Sequence, residues 1–133
     1  MVMTMLKTGL IGREQTIVNL SKSARDMGSG SLEVYATPAM CALMEAAAVN
    51  SIDGCLEPGK TTVGISLNVK HTAPTAIGMT VGAESELVEI DGRRLVFKIT
   101  AYDKAGVIGN AVHERMIVDG DRMLEKAAAR FNA

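Results

Sequence analysis

One acidic residue, Glu45, stands alone in an otherwise apolar run that spans residues 38–52. A helix that is apolar on every side is normally buried, and a buried carboxylate is costly unless it is paired or protonated. One interpretation is that Glu45 is a general base. The other is that Glu45 is structural and is held by an internal arginine or by backbone donors. This position alone favours neither interpretation.

His71 ends a segment, residues 62–71, in which apolar and polar residues alternate as in a half-buried strand. One face of this strand carries Val63, Ile65, Leu67, Val69 and His71. We expect that face to cover the buried helix. A lone histidine on an apolar face is more often a core residue than a catalyst. Because Glu45 is expected on the facing element, the catalytic interpretation of His71 becomes the better one here. Histidine suits proton transfer, because its unperturbed pKa is the side-chain pKa nearest neutrality.

Thr37 precedes the apolar run and is followed by Pro38. Threonine is a favoured N-cap residue and proline a favoured first helical residue, so the pair predicts the start of a helix. Asp53-Gly54 predicts its end. Thr37 lies about 12 Å along the axis from Glu45. The two side chains therefore cannot touch directly, although both could line one cleft. Thr37 could equally be a plain helix cap.

The rest of the chain predicts strands around this helix. Residues 7–19 are rich in β-forming residues, residues 21–31 form a polar, glycine-rich loop, and Asp91-Gly92 predicts a hairpin between two strands. Further predicted elements are a turn at 56–59, strands at 78–90, 93–102 and 107–118, and a helix at 121–131. The order predicts one α+β domain, residues 1–133, in which an antiparallel sheet wraps around a long central helix. A second copy of the chain is expected to cover part of that helix.

Composition narrows the classes of function. The net charge is −1, there is no basic stripe, and aromatic residues make up only 3%, which argues against nucleic-acid binding. No apolar run is long enough to span a membrane. Cys41 and Cys55 flank one helix and are too far apart to pair, which predicts reduced thiols and a cytoplasmic location. No cluster has metal-ligand spacing, and His113-Glu114 is merely adjacent.

The chain resembles the hot-dog fold, specifically the fluoroacetyl-CoA thioesterase-like family, over residues 8–118. Six segments carry the resemblance: Val34-Tyr-Ala-Thr37, Leu43-Met-Glu45, Leu56-Glu-Pro-Gly59, Val69-Lys-His-Thr72, Asp91-Gly-Arg-Arg-Leu95 and His113-Glu-Arg115. Each segment is weak by itself, but the set is specific for the family. The active-site threonine, glutamate and histidine of that family fall on Thr37, Glu45 and His71 at matching intervals.

This resemblance implies hydrolysis of a small acyl-CoA, with coenzyme A as part of the substrate and no separate cofactor. Glu45 would attack the acyl carbon or activate a water, and His71 would protonate the leaving thiolate. Thr37 would hydrogen-bond the acyl carbonyl or Glu45. Further candidates for substrate binding are Gly64, Tyr35 and Arg115, and those for CoA phosphate contacts are Arg93, Arg94 and Arg115. The resemblance also implies a homodimer with a shared site. The alternatives are a non-catalytic acyl-CoA-binding protein and a hot-dog hydratase.

Overall fold

The computed structural model describes residues 5–133, so residues 1–4 of the predicted domain lie outside the described part. Within that part, five strands form one antiparallel sheet in the order β1-β3-β4-β5-β2. The elements are β1 (Ile11–Ile17), a 3-10 turn (Leu20–Lys22), α1 (Ala24–Met27), α2 (Thr37–Ser51), β2 (Lys60–His71), β3 (Thr80–Asp91), β4 (Arg94–Asp103), β5 (Gly106–Asp119) and α3 (Gly120–Phe131). The predicted α+β architecture and the hairpin at Asp91-Gly92 are confirmed.

The central helix α2 packs against the sheet along one side. Its buried residues are Ala39, Met40, Leu43, Met44, Ala47, Ala48 and Ser51. The helix approaches β1 closely, since a Cβ at Gly12 would lie 2.3 Å from the carbonyl oxygen of Ala47. The opposite side carries Ala42, Ala46 and Val49, which are exposed. The prediction that α2 is buried all round is therefore wrong for one chain, because the sheet can cover only the side that faces it.

Strand β2 lies at an edge of the sheet and pairs only with β5 among the described strands. A β-bulge interrupts this pairing between Gly64 and Ser66. The bulge adds one residue, so the faces exchange at that point. Leu67 and Val69 pack against the core, whereas Ile65 is 49% exposed. The single continuous apolar face predicted for residues 63–71 is therefore wrong before the bulge.

The predicted loop at residues 21–31 overlaps the 3-10 turn and contains the short helix α1. It is tied to the rest of the fold, because Ser23 forms an isolated bridge with Tyr35 and Val34 forms one with Ala76. Ala24 of α1 lines one pocket with Thr37 of α2 and His71 of β2, so α1 lies beside the start of α2 and the end of β2. Across residues 5–133, no helix has the length and the apolar character needed to cross a membrane.

Candidate active site

Thr37 and His71 meet where α2 begins and β2 ends. The Thr37 Oγ1 atom lies 2.8 Å from His71 Nδ1, within hydrogen-bonding distance. Ala36 occupies the N-cap position, and no side chain caps the helix there. The prediction that Thr37 is the N-cap is therefore wrong: Thr37 is the first helical residue, and its hydroxyl is engaged with His71.

Tyr35 completes this group. Its ring stands nearly perpendicular to that of His71, with the ring centroids 6.3 Å apart. Tyr35, Thr37 and His71 line a pocket of about 290 Å³, together with Ala24, Ser29, Val34, Thr72, Ala73 and Pro74. The Tyr35 hydroxyl and His71 Nε2 are buried without a hydrogen-bond partner among residues 5–133. Buried polar atoms normally have such a partner, so both atoms are candidates for contact with a ligand.

Burial sets the charge state of this group. It raises the pKa of Tyr35 to about 12, with a smaller contribution from Cys41, so the phenol is protonated at neutral pH. Burial also lowers the pKa of His71, and a backbone interaction with Ala73 opposes that shift. Both side chains are therefore mainly neutral at pH 7, and each offers hydrogen bonds without adding a charge to the pocket.

Glu45 belongs to a second group, between α2 and the sheet. Its Oε2 lies 3.3 Å from Arg115 Nη1 and 3.7 Å from His113 Nε2. The expectation that the Glu45 carboxylate is buried is wrong for the single chain, because the Glu45 side chain is 42% exposed. The interpretation of Glu45 as a structural residue expected an internal arginine beside it, and Arg115 is that arginine. The contact with Arg115 does not remove the catalytic interpretation, since it fixes the position of a carboxylate that stays partly open to solvent.

Arg115 is held rigidly in this second group. Its Nε donates to Thr62 Oγ1 at 2.8 Å, and its Nη2 donates to the Thr62 carbonyl at 3.0 Å. The guanidinium is therefore fixed by the neighbouring strand, and its Nη1 is the nitrogen that meets Glu45. Because Arg115 is buried, its contact with Glu45 also compensates a charge that would otherwise be costly to bury.

His113 lies behind Arg115 and is almost fully buried. Its Nδ1 is 2.8 Å from the Ser66 carbonyl, and since a carbonyl can only accept, Nδ1 carries the proton. Its Nε2 is then free to accept from Arg115 Nη1 at 3.2 Å. Burial lowers the pKa of His113, and the charge of Arg115 adds to that shift, whereas Ser66 and Glu45 oppose it. His113 is therefore a neutral acceptor that helps to hold Arg115.

Gly64 makes room for the Glu45 carboxylate. A Cβ at this position would lie 2.8 Å from Glu45 Oε2 and 3.3 Å from His113 Cε1. Any larger residue would displace the carboxylate or the imidazole. Gly64 therefore has a steric function beside Glu45, whatever its contact with a substrate.

The predicted site residues thus fall into two groups within one chain. Thr37, His71 and Tyr35 lie together, and Glu45 lies with Gly64 and Arg115. Sequence reasoning did not place His113 in the site, although the segment His113-Glu-Arg115 was part of the family resemblance. Alternation along β5, which puts residues 113 and 115 on the same face, is the signal that would have found it. The described residues contain no cluster of three or more metal-ligating side chains.

Comparison with known proteins identifies the family to which this chain is similar. The family model for FlK, the fluoroacetyl-CoA-specific thioesterase, matches residues 18–121. The fluoroacetyl-CoA thioesterase of Streptantibioticus cattleyicolor is 42% identical over 101 residues, which cover 76% of this chain and 73% of that protein.

Solved structures agree with the family match. A solved structure of the fluoroacetyl-CoA thioesterase FlK superposes with a TM-score of 0.86 at 32% identity, covering 93% of this chain and 96% of that one. A thioesterase superfamily member from Thermus thermophilus gives a TM-score of 0.85 at 25% identity, covering 95% and 96% of the two chains. The predicted hot-dog fold is confirmed. The chain belongs to the fluoroacetyl-CoA-specific thioesterase family, and it is a thioester hydrolase.

Proposed function

We propose that this protein hydrolyses small acyl-CoA thioesters, using Thr37, Glu45 and His71 in a site that two copies of the chain build together. The observation that carries the proposal is the division of the site residues into two groups in one chain, neither of which contains all three of Thr37, Glu45 and His71. The Thr37–His71 group has unpartnered buried polar atoms but no carboxylate within hydrogen-bonding distance among the described residues. The Glu45 group has a carboxylate that is partly open to solvent.

Glu45 supplies the negative charge that starts the reaction. It either takes a proton from a water that attacks the acyl carbon, or attacks the carbon itself to form an anhydride that water then hydrolyses. Both routes need a carboxylate in a fixed position, and the contact with Arg115 Nη1 at 3.3 Å supports that requirement.

Thr37 and His71 act on the other side of the thioester. With the proton of the neutral imidazole on Nδ1, His71 donates to Thr37 Oγ1, and the Thr37 hydroxyl can then donate its own proton to the acyl carbonyl as negative charge develops on that oxygen. His71 is mainly neutral at pH 7, so it can accept and return a proton. In the water route, it can receive the proton that Glu45 takes from the water and give it to the departing thiolate. In the anhydride route, the thiolate leaves first, and His71 can pass to it one of the protons released when water hydrolyses the anhydride. Tyr35 lines the pocket that would hold the acyl group.

Two surfaces support a homodimer. The outer side of α2 exposes Ala42, Ala46 and Val49. An exposed apolar stripe of this kind is typical of a surface that contacts another protein. Beside it, β2 is an edge strand, and a paired edge is protected from nonspecific association. A second copy that pairs its own β2 with this edge would cover both surfaces at once.

The same pairing would join the two groups of site residues. Gly64 lies three positions before Leu67, and His71 lies three positions after Asn68. In an antiparallel pair of β2 strands related by a two-fold axis near the Leu67–Asn68 bond, His71 of the partner subunit would therefore lie opposite Gly64. Glu45 is in contact with Gly64, so each complete site would take Glu45 from one chain and Thr37 and His71 from the other.

The test is turnover of acetyl-CoA, followed with a thiol-detecting reagent. Steady release of free CoA supports a thioesterase. Binding of acetyl-CoA without release of thiol would establish a non-catalytic acyl-CoA-binding protein instead. Addition of water to an enoyl-CoA, with the thioester left intact, would establish a hydratase.

The proposed assembly and location have separate tests. We expect a dimer in sedimentation, and a fully active monomer would contradict the shared site. We propose no cofactor beyond the CoA carried by the substrate. A cytoplasmic location agrees with the free thiols of Cys41 and Cys55, and fractionation of the cells that make the protein would test it.

A further inference from the structure

The imidazole of His113 is buried where β5 passes the β-bulge of β2, and it has no step in the proposed reaction. Its ring packs against Phe97, with the two ring centroids 6.1 Å apart. On another side it lies against Gly64, since a Cβ at that position would be 3.3 Å from His113 Cε1. The same Cβ would meet Glu45 Oε2, so this buried imidazole and the proposed reactive carboxylate share one neighbour.

A backbone contact fixes the orientation of the His113 ring. Its Nδ1 donates to the carbonyl of Ser66, at the β-bulge that follows Gly64, over 2.8 Å. Because Nδ1 carries the proton, Nε2 presents its lone pair to Arg115 Nη1 at 3.2 Å. Nε2 lies 3.7 Å from Glu45 Oε2, which is too far for a hydrogen bond. His113 therefore reaches the carboxylate only through Arg115.

Arg115 Nη1 is the atom that connects His113 to Glu45. It lies between two acceptors, His113 Nε2 at 3.2 Å and Glu45 Oε2 at 3.3 Å, so each of its hydrogens has a partner. The remaining nitrogens of the guanidinium donate to Thr62. Without the imidazole, one buried N–H of Nη1 would lose its acceptor. Because an unsatisfied buried donor is costly, the guanidinium would turn towards another acceptor and shift the carboxylate that it contacts.

We propose that His113 is a positioning residue for thioester hydrolysis: its unprotonated Nε2 orients Arg115, and Arg115 in turn holds the Glu45 carboxylate beside Gly64. This inference rests on the proposed function, in which Glu45 attacks the acyl carbon or activates the water. His113 itself touches no atom of the substrate. A misplacement of about 1 Å at a reacting group can cost about 100-fold in rate, so a contact behind Arg115 can still control kcat.

Two substitutions separate the functions of the two ring nitrogens. Asparagine carries an amide nitrogen near the position of Nδ1, so His113→Asn can keep the bond to the Ser66 carbonyl but offers Arg115 no acceptor. Glutamine carries an amide oxygen near the position of Nε2, so His113→Gln keeps an acceptor for Arg115 and gives up the bond to Ser66. A positioning role through Arg115 and a role confined to the β-bulge therefore predict opposite orders of activity.

For His113→Asn, we expect kcat for acetyl-CoA to fall about tenfold, with KM changed less than about twofold, because the carboxylate is displaced while binding is kept. His113→Gln should retain kcat within about threefold of the unaltered protein, since its amide oxygen replaces the acceptor. The matched control is Ser66→Ala. It removes the hydroxyl that donates to Glu114 Oε2 at 2.6 Å and leaves the Ser66 carbonyl in place, so it should keep full activity.

A second measurement follows Arg115 without catalysis. Nitrogen NMR reports rotation of the guanidinium: the two Nη signals of Arg115 should be separate in the unaltered protein and in His113→Gln, and averaged in His113→Asn. Full kcat in His113→Asn, or a loss in His113→Gln as large as that in His113→Asn, would overturn the positioning role and leave the thioesterase proposal standing.

The two proposals fail in different ways. If the unaltered protein releases no thiol from acetyl-CoA, the proposed function fails, and the NMR comparison still decides whether His113 orients Arg115. Thermal melting and sedimentation establish that each variant is folded and assembled like the unaltered protein.

Discussion

The hydroxyl of Thr37 and the imidazole of His71 lie 2.8 Å apart although 34 positions separate them in the chain. This contact joins the first residue of the central helix to the last residue of the edge strand. Glu45 is not part of it, because eight residues of helix, about 12 Å, separate Glu45 from Thr37. One chain therefore presents the two parts of the proposed site at different places.

Replacing Glu45 with glutamine keeps the shape of the side chain and removes the base. We expect kcat for acetyl-CoA to fall at least about 100-fold, as for the loss of a positioned base, while the protein remains folded. Glu86→Gln is the matched control, since Glu86 is exposed on β3, and it should retain full activity. Near-normal turnover by the Glu45→Gln variant would show that this carboxylate is not the catalyst.

Mixing two impaired variants tests the shared site. Homodimers of Glu45→Gln and of His71→Ala should each keep only a small residual activity. After the two are unfolded and refolded together, each mixed dimer would contain one site free of both substitutions, so activity should return. Absence of recovery, with mixed dimers demonstrated by mass spectrometry, would mean that Glu45 and His71 act from the same chain.

The Thr37 hydroxyl is tested by two substitutions of similar size. Thr37→Val removes the hydrogen bond to His71 and should lower kcat about fivefold, since one such bond contributes about 1 kcal/mol. Thr37→Ser keeps the hydroxyl and should retain most of the activity. Equal losses in the two variants would assign Thr37 to packing at the start of α2 instead.

Gly64→Ala places a methyl group where it would lie 2.8 Å from Glu45 Oε2. The carboxylate must move, and misplacement of a reacting group lowers kcat, here by about 10- to 100-fold. Gly120→Ala is a suitable control, because its Cβ would meet its nearest neighbour at an ordinary 3.7 Å. A fully active, folded Gly64→Ala variant would contradict the tight fit beside Glu45.

The pH dependence of kcat/KM should reflect protonation of the His71 imidazole. Burial holds its pKa below the ordinary value of 6.5, so the imidazole is neutral above pH 6.5 and gains a proton as the pH falls through the lowered pKa. If the neutral form is active, kcat/KM should be flat above pH 6.5 and decline on the acid side. The profile is measured from about pH 5 to about pH 8. Persistence of the same acid limb in residual His71→Ala activity would assign it to another group.

Local sequence patterns determined the elements of this fold. Thr37-Pro38 and Gly54 predicted the limits of the central helix to within a few residues, because proline favours a helix start and Gly54, at φ +75°, follows its end. The Asp91-Gly92 turn predicted the hairpin for the same kind of reason. Six short segments were enough to identify the family, which the comparisons confirm.

Some features required the tertiary structure, because they depend on strand register between distant segments. The β-bulge after Gly64 changes which residues of β2 face the helix, and alternation along the strand does not reveal it. The pairing of β2 with β5 brings Arg115 to Thr62, 53 positions away.

The residue types in the sequence established that a carboxylate, a histidine and a hydroxyl were available for acyl transfer. Their grouping was decided by how a helix of fixed rise lies across a sheet of fixed spacing. That geometry brings Glu45 into contact with Arg115, 70 positions away, and Thr37 into contact with His71. It also leaves one side of α2 uncovered, since a sheet packs against only one side of a helix.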